Sequence, residues 1–261
     1  MTIESFMGFH APRVAENIIF LDKIGSTNTY AKDLIKNGAS AGTAIIAASQ
    51  TAGRGRLGKS WDGDGENIYI STILEPNVRE GSIAAQLTLM AGVCVANVLE
   101  RLLVSTPHKA LIKWPNDIVA GRRKICGILT EGVMDAVIIG IGVNVGRKSF
   151  PSELADKGTS LYMLTGREHD RAEIIKTILS EVSAYYRRFD MQGIGSFIDE
   201  YKALCLNIGK KVTIHENDAS YEAMCVGVSD GGELYVELPG GERRMLNSGE
   251  VSVKGIYESD L

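Results

Sequence analysis

The sequence predicts an α+β protein: a large mixed domain followed by a small β-barrel of SH3 type. Three observations carry this reading. Strand-like runs between residues 110 and 145 follow one another without intervening helices, which argues against a doubly wound parallel sheet. The long helical periodicities lie elsewhere, at 83–103 and 171–204. After about Cys205 the pattern changes to short strands separated by turn residues.

The elements follow in order. Ser26-Thr27-Asn28 precedes Tyr30, Ala31, Leu34 and Ile35 at helical spacing. A hydroxyl there can accept from the open N–H groups of a first turn, so a helix starts here, and Asn37-Gly38 ends it. Residues 43–48 are β-branched and apolar, a buried strand. A glycine-rich stretch, 53–65, separates it from a strand at 68–74 with apolar residues on both faces. Residues 83–103 are the most apolar stretch, but Gln86, Asn97, Glu100 and Arg101 interrupt it, so it reads as a buried helix and not a membrane span. Strands are expected at 110–114, 118–120 and 124–130, the last two joined by Gly121-Arg122-Arg123. The apolar strand 136–145 contains Gly140 and Gly142, and glycine inside a strand marks close approach of a ligand or another backbone. Helices at 171–188 and 195–204 follow. Short strands at 211–215, 221–228, 234–238 and 243–246 are punctuated by Glu216-Asn217-Asp218, Asp230-Gly231-Gly232 and Pro239-Gly240-Gly241. The domain reading is 1–206 and 207–261.

Composition narrows the function. Of 261 residues, 44% are hydrophobic and 23% charged, which excludes disordered, coiled-coil and collagen-like chains. Glycine is in excess, at 29 residues, which suggests tight turns or backbone brought close to a ligand. The balance of 28 basic to 32 acidic residues gives a net −4 and no global field for nucleic acid. Cys94, Cys126, Cys205 and Cys225 are far apart, and the four histidines form no ligand-pair spacing, so a zinc site is not expected. Scattered cysteines fit reduced thiols in the cytoplasm. Residues 1–12 lack a basic segment followed by an apolar run, so no secretory signal is expected.

Gly53-Arg54-Gly55-Arg56-Leu57-Gly58-Lys59-Ser60 is the most informative segment. It satisfies both the P-loop string and the dinucleotide-binding string. Both need a helix directly afterwards to hold phosphate on its N-terminus. Trp61-Asp62-Gly63-Asp64-Gly65 is unsuited to a helix. The favoured reading is a mobile loop whose Arg54, Arg56 and Lys59 close over an anionic ligand, aided by glycine N–H groups; the alternative is an exposed basic hairpin turn.

These residues resemble the biotin protein ligases, whose glycine-rich loop looks like G-R-G-R-x-G-[RK]-x-W. Four further blocks agree in order: Ser26-Thr27-Asn28, Lys113-Trp114-Pro115-Asn116-Asp117, Lys124-Ile125-Cys126-Gly127-Ile128-Leu129 and Gly140-Ile141-Gly142-Val143-Asn144. The resemblance covers nearly the whole chain from about residue 18. It implies a catalytic domain similar to class II aminoacyl-tRNA synthetases, a mixed sheet with flanking helices, plus an SH3-like C-terminal domain. Regulatory members carry an N-terminal helix-turn-helix domain; only 25 residues precede Ser26, so the ligase-only type without specific DNA binding is expected. Leu57 and Lys59 stand where some members have arginine, which leaves fewer rigid guanidinium forks in the loop.

What the resemblance implies is a two-step reaction. Biotin and ATP give biotinyl-5′-AMP, and a lysine of a biotin carboxyl carrier protein, or of a biotin-dependent carboxylase subunit, then takes the biotinyl group. Ser26, Thr27 and Gln50 match positions that bond the biotin ureido ring; Asn28, Gly53 and Arg54 adjoin them, and Gly127 and Leu129 match positions lining the pocket. Trp61 matches the aromatic on which the adenylate rests. Lys124 and Arg56 match cations at the carboxylate and phosphates, Arg56 also helping to retain the adenylate, and Lys113 assists at the same anionic site. Asn116 and Asn144 match positions near the nucleotide, and Asp117 matches an orienter or proton acceptor near the acceptor lysine. Mg²⁺ is expected with ATP, its protein ligands unassigned. A homodimer by edge pairing of the sheet is left open. The nearest alternatives are a lipoate-type acyl-protein ligase and, in another class, a regulatory protein that senses biotinyl-AMP.

Overall fold

The computed structural model describes residues 1–63, 66–77, 82–216, 219–247 and 249–257. The expected turns at Asp64-Gly65 and Asn217-Asp218 lie outside the described residues.

Seven strands form one mixed sheet. They are β1 (Asn17–Ile24), β2 (Thr43–Gln50), β5 (Ile68–Leu74), β6 (Leu111–Lys113), β7 (Asp117–Ala120), β8 (Arg123–Val133) and β9 (Ala136–Val143). A separate two-stranded hairpin holds β3 (Gly53–Arg54) and β4 (Ser60–Trp61). The sheet order is β1-β2-β5-β9-β8-β7-β6, with β1 parallel to β2 and every other pairing antiparallel. This is the sheet without crossover helices that residues 110–145 predict. β1 is the strand the sequence did not signal. Most of NIIFLDKI is half-buried or exposed, so it lacks the apolar run of a central strand.

The helices are α1 (Thr27–Lys36), α2 (Ile83–Leu103), α3 (Leu161–Thr165), α4 (Arg171–Gln192) and α5 (Ile198–Leu204). α1 starts where the hydroxyl pattern predicts: Ser26 is the N-cap, its Oγ accepting from Thr29 N–H at 3.5 Å. α2 is long and apolar enough to cross a bilayer by length and composition. Thirteen of its residues are instead buried in the core, most of them along Leu87–Leu99.

The two faces of the sheet are unequal. Ile70, Ile128, Ile139, Ile141 and Val143 join the main core with α2 and α4. Strand alternation sends their neighbours to the other face. There Ile45, Ile73 and Ile138 pack with Ala31 of α1. Further along that face, the same alternation presents Gly140 under the start of α1, and then Gly142 and Gly127.

Beyond residue 206 a second sheet holds β10 (Lys211–Glu216), β11 (Ala219–Val228), β12 (Leu234–Glu237), β13 (Arg243–Leu246) and β14 (Glu250–Val253), all antiparallel in the order β13-β12-β11-β10-β14. Its inner residues Val212, Ile214, Cys225 and Val236 belong to the same apolar cluster as α2. Trp114 is the hinge pin: its backbone N–H donates to Asn207 Oδ1 at 2.8 Å, and its indole Nε1 to Gly232 O at 3.0 Å. All four cysteines are free and buried.

Candidate active site

A cavity of about 950 Å³ opens on the uncovered part of the sheet, walled by the 53–62 loop, the 147–158 segment and the small sheet. Its floor is glycine. Gly127 and Gly142 are register partners on β8 and β9. An added Cβ would fall 2.7 Å from Trp61 Cζ3 at Gly127 and 2.6 Å from Trp61 Cε2 at Gly142. The indole therefore packs straight onto the backbone of two adjacent strands. A Cβ on Gly140 would lie 2.1 Å from Asn28 Oδ1, so this glycine lets α1 approach the sheet. The in-strand glycines mark close approach, as their positions predict.

The N-terminus of α1 forms the polar end. Ile24 and Gln50 are register partners, which brings Gln50 beside the helix start. Gln50 Oε1 accepts from Thr27 N–H at 2.8 Å and from Thr27 Oγ at 3.2 Å. Ser71 Oγ lies 2.7 Å from Thr27 Oγ1 and donates to Asn28 Oδ1 at 2.6 Å. Asn28 Nδ2 donates to Leu129 O at 3.1 Å and to Glu131 Oε2 at 2.9 Å. Lys32 Nζ holds the other Glu131 oxygen at 2.6 Å. Burial would raise the Glu131 carboxyl, but bonds from Lys32 and Asn28 outweigh it and hold the group below its ordinary range. Ser71 and Glu131 are absent from the sequence reading. Their signal was a polar residue on a strand face that is otherwise apolar.

The loop is a hairpin and not a P-loop followed by a helix. Gly53 pairs with Trp61 and Arg54 with Ser60. Gly55 N–H donates to Lys59 O at 2.7 Å, closing a turn in which Leu57 (φ 55°) and Gly58 (φ 74°) are left-handed. Ser60 leads into a strand, not a helix, so neither phosphate-loop string describes this segment. At Gly53 a Cβ would meet Trp61 O at 2.5 Å. Arg54 is exposed on the cavity wall, while Arg56 Nη1 donates to Asn116 Oδ1 at 3.1 Å. Asn116 in turn donates from Nδ2 to Ile128 O at 3.0 Å.

The charged end gathers three sequence blocks. Lys113 pairs with Asp117 across the β6–β7 hairpin, and Asp117 with Gly127 across β7–β8. Lys124 Nζ sits 2.7 Å from Asp117 Oδ1 and 5.2 Å from the centroid of a Trp61 ring. Tyr257 O–H donates to Asp117 Oδ2 at 3.1 Å, and Lys113 Nζ stands 5.2 Å from the Tyr257 ring centroid. Burial pushes the Asp117 carboxyl up; Lys124, Lys113 and the two hydrogen bonds more than reverse it and hold it below the usual range. Lys124 thus faces a negative group. Asn144, also on the wall, donates from Nδ2 to Thr159 O at 3.0 Å and fastens the 158–160 segment to the floor.

Every residue expected at the site except Gly53 lines this one cavity, and Gly53 lies in the hairpin at its edge. Arg147 and Tyr257 are among the lining residues that had no signal in the sequence. Arg147 Nη2 pairs with Asp62 Oδ2 at 2.7 Å, and Tyr257 arrives from 140 positions beyond Asp117. Among the described residues no three His, Cys, Asp or Glu side chains are grouped to hold a metal ion.

Comparison with known proteins gives one consistent result. The biotin/lipoate A/B protein ligase family matches residues 20–144, and the biotin protein ligase C terminal domain matches residues 208–254. The bifunctional ligase/repressor BirA of Bacillus subtilis is 33% identical over 262 residues, covering 97% of this chain and 76% of that protein. The biotin–[acetyl-CoA-carboxylase] ligase of Mycobacterium tuberculosis is 30% identical over 243 residues, 88% of each. Among solved structures, a biotin protein ligase from Aquifex aeolicus in complex with biotin and ATP matches with a TM-score of 0.81 and 32% identity, covering 92% of this chain and 99% of that one.

Proposed function

The chain belongs to the biotin protein ligase family, and we propose that it makes biotinyl-5′-AMP from biotin and ATP and transfers the biotinyl group to a lysine of a biotin carboxyl carrier domain. The observation that supports this most is the order of chemistry along one groove. Hydroxyl and amide groups stand at one end, a glycine floor under an indole in the middle, and lysines and arginines at the other. Biotin has the matching order: a polar ureido ring, an apolar ring and chain, and a carboxylate.

In this reading Thr27 and Gln50 exchange their mutual hydrogen bonds, and Ser26 its cap bond from Thr29, for bonds to the ureido group. The floor is flat enough for the apolar part to lie against backbone. Lys124 stands where the carboxylate oxygen attacks the α-phosphorus of MgATP and pyrophosphate leaves. Its ammonium offsets repulsion between two anions and stabilises the charge that builds in the transition state. Lys113, Arg54 and Arg56 add positive charge for the phosphates, and closure of the loop carrying Arg56 retains the adenylate. In the second step the acceptor amine attacks the acyl carbon and AMP leaves. The depressed Asp117 carboxylate is a weak base, so its part is to orient Lys124 and the incoming amine. The magnesium travels with the triphosphate as substrate. Residues 1–206 supply most of this chemistry and 207–261 close one wall. Buried free thiols support work in the reducing cytoplasm.

The test is ATP–pyrophosphate exchange with biotin, with lipoate, or with neither. Exchange with biotin alone is expected. Exchange with lipoate alone would move the chain to the other branch of its family, and exchange with neither would overturn the reading.

Trp61 gives a second readout. The chain has two tryptophans, and Trp114 is buried and bonded through its indole nitrogen. The Trp61 Nε1 is buried with no partner among the described residues. A ligand on the glycine floor must shift this ring. Biotin or ATP is therefore expected to change intrinsic fluorescence, and Trp61→Phe to lose most of the response, as a fluorescence titration of both proteins would measure.

A further inference from the structure

Tyr257 comes from the far end of the chain, yet it completes the charged cluster. Its hydroxyl donates to Asp117 Oδ2 at 3.1 Å while Lys124 Nζ holds Oδ1 at 2.7 Å, so each carboxylate oxygen has its own partner. Lys113 Nζ rests 5.2 Å from the centre of the same tyrosine ring. Two ties fix the position. Arg122 Nε donates to Gly255 O at 2.8 Å, and Tyr257 N–H donates to Arg122 O at 3.1 Å. Arg122 sits in the turn that joins the strand of Asp117 to the strand of Lys124. Tyr257 itself is left-handed, with φ 66°, a backbone state that a bulky residue keeps only when its surroundings over-determine it.

We propose that Tyr257 is a positioning residue for the ligase reaction: it locks the Asp117 carboxylate so that Lys124 remains aimed at the reacting anions. The inference rests on the function proposed above. A carboxylate held at one oxygen only can rotate about its Cβ–Cγ bond and carry the Lys124 ammonium with it. The phenol prevents this by holding Oδ2 while Lys124 holds Oδ1. Burial, together with the neighbouring Asp117 charge, pushes the Tyr257 phenol far up, so it stays protonated and acts as a donor. The small domain then contributes to catalysis and not only to the wall.

Tyr257→Phe tests this, since it keeps the ring and removes the donor. In biotin-dependent exchange, kcat is expected to fall about tenfold with KM for biotin unchanged. Losing a hydrogen bond to the charged form raises the Asp117 pKa, so the acidic limb of the pH–rate profile moves to higher pH. A merely structural tie would lower the melting temperature and leave that limb in place, which would overturn the proposal. Asp117 can also be titrated by carbon-13 carboxyl resonances in both proteins without any assay of activity. An inactive wild type would refute the ligase reading, whereas an Asp117 titration unmoved by Tyr257→Phe would refute the positioning role. Arg122→Ala, which releases the tail, is expected to shift the limb in the same direction and provides the same test should the phenylalanine variant fold poorly.

Discussion

Lys124→Ala is expected to lower biotin-dependent pyrophosphate exchange by about 10²–10³-fold, the range found when a preorganised donor to developing charge is removed. Exchange rates at saturating biotin and ATP measure it. On the proposed reading the loss belongs in kcat, because the ammonium does most for the transition state, where carboxylate and phosphate meet. Lys124→Arg restores the charge but not the point geometry, and is expected to recover only part of the rate. Stability changes separately and with a definite sign. Burial alone would raise the Asp117 carboxyl, and its cationic partners depress it below the ordinary 3.8. A depressed carboxylate contributes stability that is present above its unfolded value and is lost as pH falls through its folded value. Without Lys124 the depression shrinks, so acid unfolding of the variant begins at higher pH. At neutral pH a modest drop in melting temperature cannot account for a hundredfold loss of rate. A variant that kept wild-type kcat would remove Lys124 from the reaction.

The parts of the site that were legible in the sequence share a physical reason. The charged loop, the Lys113–Asp117 hairpin and the Gly140–Asn144 strand end are each local. Their turn residues, strand alternation and misplaced glycines can be read within a dozen positions. The α1 start is local too, since the Ser26 cap and the Thr27 contact arise from one backbone reversal. What could not be read depends on topology. Glu131 and Ser71 become site residues only because β5, β9 and β8 are neighbours, which puts their side chains under Asn28 across more than forty positions. Arg147 and Tyr257 belong to irregular segments with no periodicity to betray them. β1 was missed, and the β3–β4 hairpin was only the less favoured reading of its segment, for a related reason. An edge strand with mixed exposure and strands of two residues carry too little apolar pattern to separate from loop. The phosphate-loop strings failed because they specify letters and not the helix that makes such letters useful.

The glycine floor leads to the other large effect, in which two neighbouring glycines are expected to respond differently. Gly142 is not left-handed and lies mid-sheet, paired on both sides, with Tyr69 and with Gly127. Valine suits such a strand backbone, so Gly142→Val should fold, with its melting temperature lowered only by the displacement of the Trp61 ring. Its Cβ would nonetheless meet the Trp61 ring at 2.6 Å, against the roughly 3.5–4 Å that carbon contacts need. The ring must lift, and the branched side chain fills the space the biotin chain requires. Biotin affinity is expected to fall about a hundredfold or more, as overpacking of a fitted site predicts. Gly140→Ala behaves otherwise. Its Cβ would strike Asn28 Oδ1 at 2.1 Å, inside the buried network of Ser71, Leu129 and Glu131. Asn28 must turn away and break its bonds to Leu129 O and Glu131, which leaves partly buried polar groups unpaired and costs about 1–3 kcal/mol of stability. Thermal melts and biotin titrations on the two variants therefore separate a floor built for ligand from a floor built for the helix. If Gly142→Val bound biotin normally, the apolar ring and chain would have to lie elsewhere in the cavity.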